Sequence, residues 1–121
     1  MKKRQILLAD DSHETLEGLS QYLGRTYTVY SAPNGLDALK IFEQHKRELD
    51  LVITDIVMPD ISGAALISMI RANSPATPII AMTGWGETTG KLAFEAKADK
   101  ILMKPFDLED LDRSISALLH E

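Results

Sequence analysis

The segment from residue 51 to residue 59 constrains the fold most strongly. Residues 51–53 are an unbroken apolar run, which predicts a strand buried on both faces, as in parallel sheets covered by helices on both sides. Pro59 cannot donate a ladder hydrogen bond and favours an extended or turn conformation at Met58. Asp55 is therefore predicted at a rigid junction between a strand and a loop. Aspartate is also common there as a turn or helix-cap residue. The residues at the other strand ends are therefore needed to distinguish a functional role of Asp55 from a structural one.

The same kind of apolar run recurs along the chain, between segments with helical periodicity. The predicted strands cover residues 6–9, 28–31, 51–54, 79–82 and 101–103. The predicted helices place these apolar residues inward: Leu16, Leu19 and Leu23; Ala38, Leu39 and Phe42; Leu66, Ile67 and Ile70; Leu92 and Ala96; Leu108, Leu111, Ile115 and Leu118. The fourth helix is expected over residues 88–97. Parallel strands need crossover connections, so this alternation predicts one α/β domain over residues 1–121, with helices on both faces of a parallel sheet.

Three polar residues stand where predicted helices begin. Ser12, Asn34 and Asp107 each precede an amphipathic segment and are predicted N-caps, because their side-chain oxygens can accept from the exposed backbone N–H groups of a first helical turn. They fix the starts of the first, second and fifth helices.

The composition narrows the class of protein. The chain has 121 residues, of which 45% are hydrophobic and 26% charged, as expected for one globular domain. It has no cysteine, which excludes disulfides, zinc–thiolate sites and thiol catalysis and suits a reducing cytoplasm. The apolar run after the basic first residues is too short for a signal peptide or a membrane span. The net charge of −5 argues against nucleic-acid binding, so we expect a cytoplasmic domain without membrane or nucleic-acid contacts.

Polar residues end four of the predicted strands. In open α/β sheets, ligands bind beyond the carboxyl ends of the strands, where these side chains would meet. Three clustered carboxylates would repel one another and raise the pKa of at least one of them. A lysine offsets one charge, and the remaining charge of about −2 matches a divalent cation; because every candidate ligand atom is oxygen, Mg²⁺ is favoured. The residues are Asp10, Asp11, Asp55, Thr83 and Lys104.

A phosphoryl group fits the rest of this predicted site. Mg²⁺ and Lys104 would neutralise its oxygens, and the Thr83 hydroxyl would donate to one of them. Asp55 would act as a carboxylate nucleophile. The predicted chemistry is in-line transfer of a phosphoryl group to Asp55, which gives an acyl phosphate.

These residues resemble the receiver domain of bacterial two-component response regulators, the CheY-like superfamily. The resemblance covers the whole chain, and its motifs are specific in their order and spacing. They are Asp10-Asp11, Asp55-Ile56-Val57-Met58-Pro59 with Gly63 four residues later, Met82-Thr83-Gly84 and Lys104-Pro105-Phe106. The resemblance implies a flavodoxin-like (βα)5 fold with strand order 2-1-3-4-5 and a cis peptide bond between Lys104 and Pro105.

The resemblance also implies a phosphoacceptor function in a two-component phosphorelay. A histidine kinase or a histidine phosphotransfer protein would phosphorylate Asp55. Phosphorylation would then switch a surface of the fourth helix, fifth strand and fifth helix that binds an unknown downstream protein, in a monomer or a phosphorylation-dependent homodimer. The implied ligands of Mg²⁺, for which Mn²⁺ can substitute, are Asp10, Asp11, Asp55 and the backbone carbonyl of Val57, and the implied phosphate-binding and switch residues are Thr83 and Lys104.

Four positions depart from the family's usual pattern. The switch position that usually holds an aromatic residue holds Ile101, so a rotameric flip of a tyrosine or phenylalanine is excluded. Lys97 stands where the family often has glycine, which would cost about 1 kcal/mol if the backbone there is left-handed. Val57 and Trp85 occupy the two positions that overhang the phosphoryl group and tune its hydrolysis. Both are apolar and cannot position a water molecule, so we expect a long-lived phosphorylated form.

Three other functions fit the sequence less well. A phosphohydrolase with an aspartyl-phosphate intermediate needs a second carboxylate two residues after the nucleophile, where this chain has Val57. A flavin- or nucleotide-binding domain needs a glycine-rich loop after the first strand, where Asp10 and Asp11 stand instead. A receiver that no longer signals by phosphorylation is disfavoured by the complete acidic set, although Ile101 leaves room for it. We expect a signalling domain and not a turnover enzyme, either a single-domain regulator or the receiver part of a longer protein.

Overall fold

The computed structural model describes residues 2–84 and 86–121, with the backbone alone for residues 86–89. Five strands alternate with five helices, as predicted. The fourth helix begins two residues earlier than expected and ends two residues sooner. The elements are β1 (Gln5–Ala9), α1 (His13–Gly24), β2 (Thr28–Ala32), α2 (Gly35–His45), β3 (Leu51–Asp55), α3 (Gly63–Asn73), β4 (Ile79–Thr83), α4 (Gly86–Glu95), β5 (Lys100–Met103) and α5 (Leu108–Leu119).

The strands form one parallel sheet in the order β2-β1-β3-β4-β5, which confirms the predicted flavodoxin-like topology. The chain order reverses between β1 and β3, and this is the switch point at which such sheets bind ligands. Ala9 pairs with Thr54 at the carboxyl ends of these two strands. The next residues along the strands, Asp10 and Asp55, are therefore neighbours. None of the described helices is long and apolar enough to cross a membrane.

Each face of the sheet has its own hydrophobic core. Side chains alternate along β1, so that Leu7 and Ala9 pack with α2, α3 and α4, whereas Ile6 and Leu8 pack with α1 and α5. Every residue of β3 and β4 is buried, as the uninterrupted apolar runs predicted. The domain is thus doubly wound, and the polar ends of its central strands lie at a rim that neither core covers.

The predicted inward face of α4 was partly wrong: Ala96, just past the end of the helix, is buried as expected, but Leu92 is not. Ala93 and Ala96 pack into the core, whereas Leu92 is 42% exposed and Phe94 lies on the surface. The small alanine side chains let the helix lie close against its neighbours. A residue-by-residue reading of hydrophobicity gives these alanines less weight than the leucine beside them.

The predicted inward face of α5 was partly wrong. Leu111 and Ile115 are buried as expected, but Leu108 is 43% exposed and Leu119 is buried in place of the half-buried Leu118. Leu108 is the first residue of the helix and lines a groove toward α1. The core face of α5 therefore runs from its second turn to its last residue.

Two of the three predicted N-cap hydrogen bonds are confirmed. The side chains of Ser12 and Asn34 each accept a hydrogen bond from the backbone N–H three residues on, at 3.4 Å and 2.7 Å. Asp107 occupies the N-cap position of α5, but its side chain makes no capping bond within the described chain. Ser62, which was not predicted, caps α3 with a bond of 3.1 Å.

One arginine joins four segments at the edge of the sheet away from the strand-end acids. The Arg71 guanidinium donates to the backbone carbonyls of Pro75, Thr77 and Lys97 at 2.9, 2.7 and 2.8 Å. It also pairs with the Asp99 carboxylate at 2.9 Å, which in turn accepts from the first backbone N–H of β4 at 2.7 Å. We call this set the Arg71 clamp. It fastens the end of α3 to β4 and to the turn between α4 and β5.

Lys97 has the left-handed backbone that its position suggested, with φ of 72°. Replacing Lys97 with glycine should raise the free energy of unfolding by about 1 kcal/mol, because glycine adopts this conformation without a Cβ clash. The carbonyl that Arg71 binds is retained in the variant. Urea denaturation followed by circular dichroism measures the change. Lys91→Gly is the control: it lies within α4 and should lower stability by about the same amount. A loss of stability in Lys97→Gly would contradict the prediction.

Candidate functional site

The carboxyl ends of β1 and β3 bring the predicted acidic residues together. Asp10 is fully buried and Asp55 nearly so, whereas Asp11 is exposed. One carboxylate oxygen from each of the three lies within 4.8 Å of the others. The parallel pairing of the two central strands produces this cluster, because it aligns the residues that follow each strand.

Lys104 reaches the cluster from the end of β5. Its Nζ donates to Oδ2 of Asp10 at 2.8 Å and to Oδ2 of Asp55 at 3.1 Å. Its backbone N–H donates to the Thr83 carbonyl at 2.7 Å, which holds the residue against the end of β4. The following peptide bond to Pro105 is cis, as the resemblance implied. The site thus has three carboxylates and one ammonium group, which bridges two of them.

The carboxylates are held in place by backbone donors. Oδ1 of Asp10 accepts from the N–H of Ser12 at 2.9 Å, at the start of α1. Oδ1 of Asp55 accepts from the N–H of Val57 at 3.3 Å, within the loop that follows β3. The Val57 side chain is 62% exposed at the mouth of this site. Each buried carboxylate therefore has one oxygen on a backbone amide and the other on the lysine.

Burial raises the pKa of the Asp55 carboxyl above its ordinary value. The hydrogen bond and charge of Lys104 lower that pKa and the charge of Asp10 raises it, and the net pKa is raised. Burial alone would lower the pKa of Lys104, but the hydrogen bonds and charges of Asp10 and Asp55 outweigh it and the net pKa is raised. The expected rise for a clustered carboxylate is confirmed, with burial rather than repulsion as its largest cause. With three carboxylates facing one ammonium group, the site still favours a bound cation.

The donor set fits a hard divalent cation. The three carboxylates offer oxygen atoms alone, which suits Mg²⁺ and does not suit softer metals. His13, the histidine nearest in sequence, is exposed and pairs with Glu17 at 3.3 Å on α1. It is a surface residue, and the site is made of oxygen ligands.

The two predicted switch positions lie on neighbouring strands. Thr83 is fully buried at the end of β4, and its Oγ1 donates to Sδ of Met103 on β5 at 3.1 Å. Ile101 pairs with Ala81 and packs against the core on the α4 side of the sheet. Sequence reasoning did not single out Met103, because its contact with Thr83 depends on the register between two strands. Trp85, the other residue predicted to tune hydrolysis, lies outside the described residues.

Gly63 explains how the acidic strand end is supported. It is the first residue of α3, and its N–H donates to the Ile56 carbonyl at 2.8 Å. A Cβ built on it would lie 1.8 Å from the Asp55 carbonyl oxygen and 2.6 Å from the Cα of Ile56. The helix start therefore rests directly on the backbone that carries Asp55. The sequence motif contained this glycine without showing its role.

The family of this domain follows from its similarity to known proteins. The model of the response regulator receiver domain family matches residues 6–116. The chain belongs to this family. Its receiver domain is 31% identical over 117 residues to the sensor kinase CckA of Brucella abortus, covering 96% of this chain and 12% of that protein. It is 36% identical over 122 residues to the probable transcriptional regulator ycf27 of Galdieria sulphuraria, covering 98% of this chain and 46% of that protein. The chain thus spans less than half of either relative.

Solved structures agree with this membership. A response regulator receiver domain protein from Clostridium thermocellum superposes with a TM-score of 0.90 at 29% identity, covering 97% of this chain and 94% of that one. The BeF3-activated DrrB receiver domain gives 0.88 at 28% identity, with 98% and 99% covered. The predicted resemblance and fold are confirmed: the protein contains a receiver domain of two-component response regulators, a signalling domain, with an acidic pocket at its strand ends.

The raised pKa of Asp55 gives a pH-dependent prediction for metal-free protein. A raised pKa means that the folded state binds this proton more tightly than the unfolded state, whose pKa is near 3.8. The stability from this group is complete below the unfolded value and is lost as the pH rises through the folded pKa. With chelator at pH 7, Asp55→Asn should therefore raise the free energy of unfolding. The difference should shrink as the pH falls through the folded pKa.

Urea denaturation at several pH values in chelator measures this difference. Glu95→Gln, an exposed carboxylate on α4, is the matched control and should leave the free energy of unfolding unchanged. A lower stability of Asp55→Asn at pH 7 would show that the Lys104 contact outweighs burial.

Proposed function

We propose that this receiver domain accepts a phosphoryl group on Asp55 from a histidine kinase or a histidine phosphotransfer protein. The transfer depends on Mg²⁺, and its product changes a partner-binding surface formed by α4, β5 and α5. The observation that carries the proposal is the buried Asp55 carboxylate, set within 4.8 Å of two further carboxylates and bound by Lys104. We place the domain in the cytoplasm, without direct nucleic-acid binding, in line with the net charge of −5.

The metal ion would be held by carboxylates and one backbone oxygen. A bound Mg²⁺, or Mn²⁺ in its place, neutralises phosphoryl oxygens and orients the group for in-line attack. The fully buried Asp10 is fixed by the Ser12 N–H and is rigid, whereas the exposed Asp11 completes the site from the solvent side. The proposed ligands are Asp10, Asp11, Asp55 and the backbone carbonyl of Val57.

Asp55 is the nucleophile in this proposal. One of its carboxylate oxygens forms a bond to phosphorus while the bond from phosphorus to the donor's histidine nitrogen breaks. The electron pair of that bond leaves with the imidazole, which takes up a proton. Lys104 then binds a phosphoryl oxygen in place of the Asp55 carboxylate, and the Thr83 hydroxyl turns to donate to another. The product is an acyl phosphate that no second carboxylate hydrolyses, because Val57 stands two residues on.

A groove beside Lys104 suits the approach of the donor protein. It has a volume of about 640 Å³ and lies between α1 and the loop that follows β5. Leu19, Tyr22 and Phe106 give it apolar walls, and Glu14 adds a charge at its side. A donor histidine must come within bonding distance of Asp55, so the body of its protein must rest on a surface next to this site.

Direct phosphorylation tests the proposal. The domain is incubated with Mg²⁺ and a small acyl-phosphate donor and its intact mass is measured. We expect one added phosphoryl group, which is absent in Asp55→Ala and absent in chelator. If wild type gains no mass with any phosphodonor, the domain is a receiver that does not signal by phosphorylation.

The lifetime of the acyl phosphate gives a further prediction. Val57→Asn should speed hydrolysis by roughly ten-fold, because an amide at this exposed position can orient an attacking water by hydrogen bonding. Phosphate release after removal of the donor measures the rate. Leu36→Asn, at another exposed apolar position, is the control and should leave the rate unchanged. An unchanged rate in Val57→Asn would show that this side chain does not limit access of water.

A further inference from the structure

Thr83 and Met103 form a contact that connects a buried hydroxyl with the protein surface. The two residues pair across β4 and β5, and the Oγ1 of Thr83 donates to the Sδ of Met103 at 3.1 Å. Thr83 is fully buried, whereas Met103 is 53% exposed. The thioether is therefore a link between the strand-end site and the solvent.

The residue two positions earlier on β5 cannot supply this link. Side chains alternate along a strand, so Ile101 and Met103 face the same side of the sheet, which α4 covers. Ile101 is a hydrocarbon without an acceptor atom, and it packs against the core. Met103 lies two residue pairs closer to the strand-end site and carries a sulfur that accepts from a hydroxyl.

We propose that Met103 carries the state of Thr83 to the surface of α4 and β5, in place of the aromatic residue absent at position 101. The inference rests on the proposed function, in which Thr83 turns toward a phosphoryl group on Asp55. In the unphosphorylated domain the hydroxyl binds the sulfur. When a phosphoryl oxygen accepts that hydrogen bond, the sulfur loses its donor, and the unbranched methionine side chain is free to take another rotamer on the surface.

The relative strengths of the two hydrogen bonds give the switch its direction. A thioether sulfur is a weak acceptor, whereas a charged phosphoryl oxygen makes a shorter and roughly twice stronger bond than a neutral acceptor. The contact with Met103 stabilises the resting orientation of Thr83 without locking it. Removing the sulfur should therefore favour the activated orientation, because the sulfur no longer competes with the phosphoryl oxygen for the Thr83 hydroxyl.

The first test measures the affinity for beryllofluoride, a phosphoryl analogue, in the presence of Mg²⁺. Met103→Leu keeps the apolar volume and removes the acceptor, and we expect it to bind beryllofluoride roughly two- to five-fold more tightly than wild type. Met69→Leu is the matched control, since this methionine is 40% exposed on α3 and lies away from Thr83. In a Thr83→Ala background the effect of Met103→Leu should vanish, because the hydroxyl that joins the two residues is gone.

The second test follows the methyl group of Met103 by carbon-13 NMR. Beryllofluoride with Mg²⁺ should shift this resonance in wild type and shift it much less in Thr83→Ala. If wild type shows no Asp55-dependent binding of beryllofluoride, the proposed function fails and the inference fails with it. If it binds and either the Met103 methyl resonance stays in place or Met103→Leu matches Met69→Leu, the inference alone is wrong.

Discussion

Gly63→Ala is expected to lower the free energy of unfolding by about 3 kcal/mol or more, or to prevent folding altogether. The added methyl group would lie 1.8 Å from the carbonyl oxygen of Asp55 and 2.6 Å from the Cα of Ile56. Both are backbone atoms of the segment that ends β3, so no side chain can move aside. Relief requires α3 to lift away from the strand end, which breaks the hydrogen bond from Gly63 to the Ile56 carbonyl. Urea denaturation followed by circular dichroism gives the change.

Gly18→Ala is the matched control for this substitution. Gly18 lies within α1, and a Cβ built on it meets no atom within 4 Å. Alanine has the higher helix propensity, so this variant should gain about 0.5 to 1 kcal/mol. If Gly63→Ala unfolds at the same urea concentration as wild type, the start of α3 does not rest on the Asp55 backbone as described.

Lys104→Met should slow phosphorylation of Asp55 by about 10²- to 10³-fold and tighten Mg²⁺ binding at the same time. In the proposed reaction Lys104 stabilises charge that develops on the phosphoryl oxygens, and methionine cannot do so. The same ammonium repels a divalent cation at a site where it now bridges Asp10 and Asp55 at 2.8 and 3.1 Å. Its removal should strengthen Mg²⁺ binding by roughly ten-fold. Rate and affinity thus change in opposite directions.

Two measurements separate these effects. Initial rates with a small acyl-phosphate donor are taken at saturating Mg²⁺, and Mg²⁺ affinity is measured by calorimetry in the absence of donor. Lys100→Met is the matched control, because this exposed lysine lies on the same strand at its opposite end. It should leave both quantities near their wild-type values. Weaker Mg²⁺ binding in Lys104→Met would mean that the lysine orders the carboxylates more than it repels the ion.

The fold and the acidic site were predictable because they depend on local patterns. An apolar run such as residues 51–53 indicates a doubly covered strand without knowledge of its neighbours. Once five such runs alternate with helices, the parallel sheet follows, and the residues after each strand must meet at one edge. Asp10 and Asp55 could be placed together for this reason, before any distance was known.

Features that depend on exact neighbours were not predictable. Among the described residues, the buried positions at the end of α4 are Ala93 and the following Ala96, whose burial follows from close helix packing and not from their own hydrophobicity. Arg71 had the pattern of an ordinary residue at a helix end, and its four partners come from two separate loops, residues 75–77 and 97–99. Met103 contacts Thr83 because the register of β5 against β4 aligns them. Gly63 was recognised as part of a sequence motif. The need for a glycine there becomes clear only from the short distance to the Asp55 backbone.

The Arg71 clamp determines which end of α4 is held in place. Arg71 holds the backbone just past the helix end, at Lys97, and ties it to the start of β4 through Asp99. The opposite end of the helix, at Gly86, lies three residues after Thr83 in sequence. We expect α4 to behave as a lever whose fulcrum is at the clamp, with the smallest displacements there and the largest beside the strand-end site. A small turn of the Thr83 hydroxyl near one end would then become a tilt of the helix.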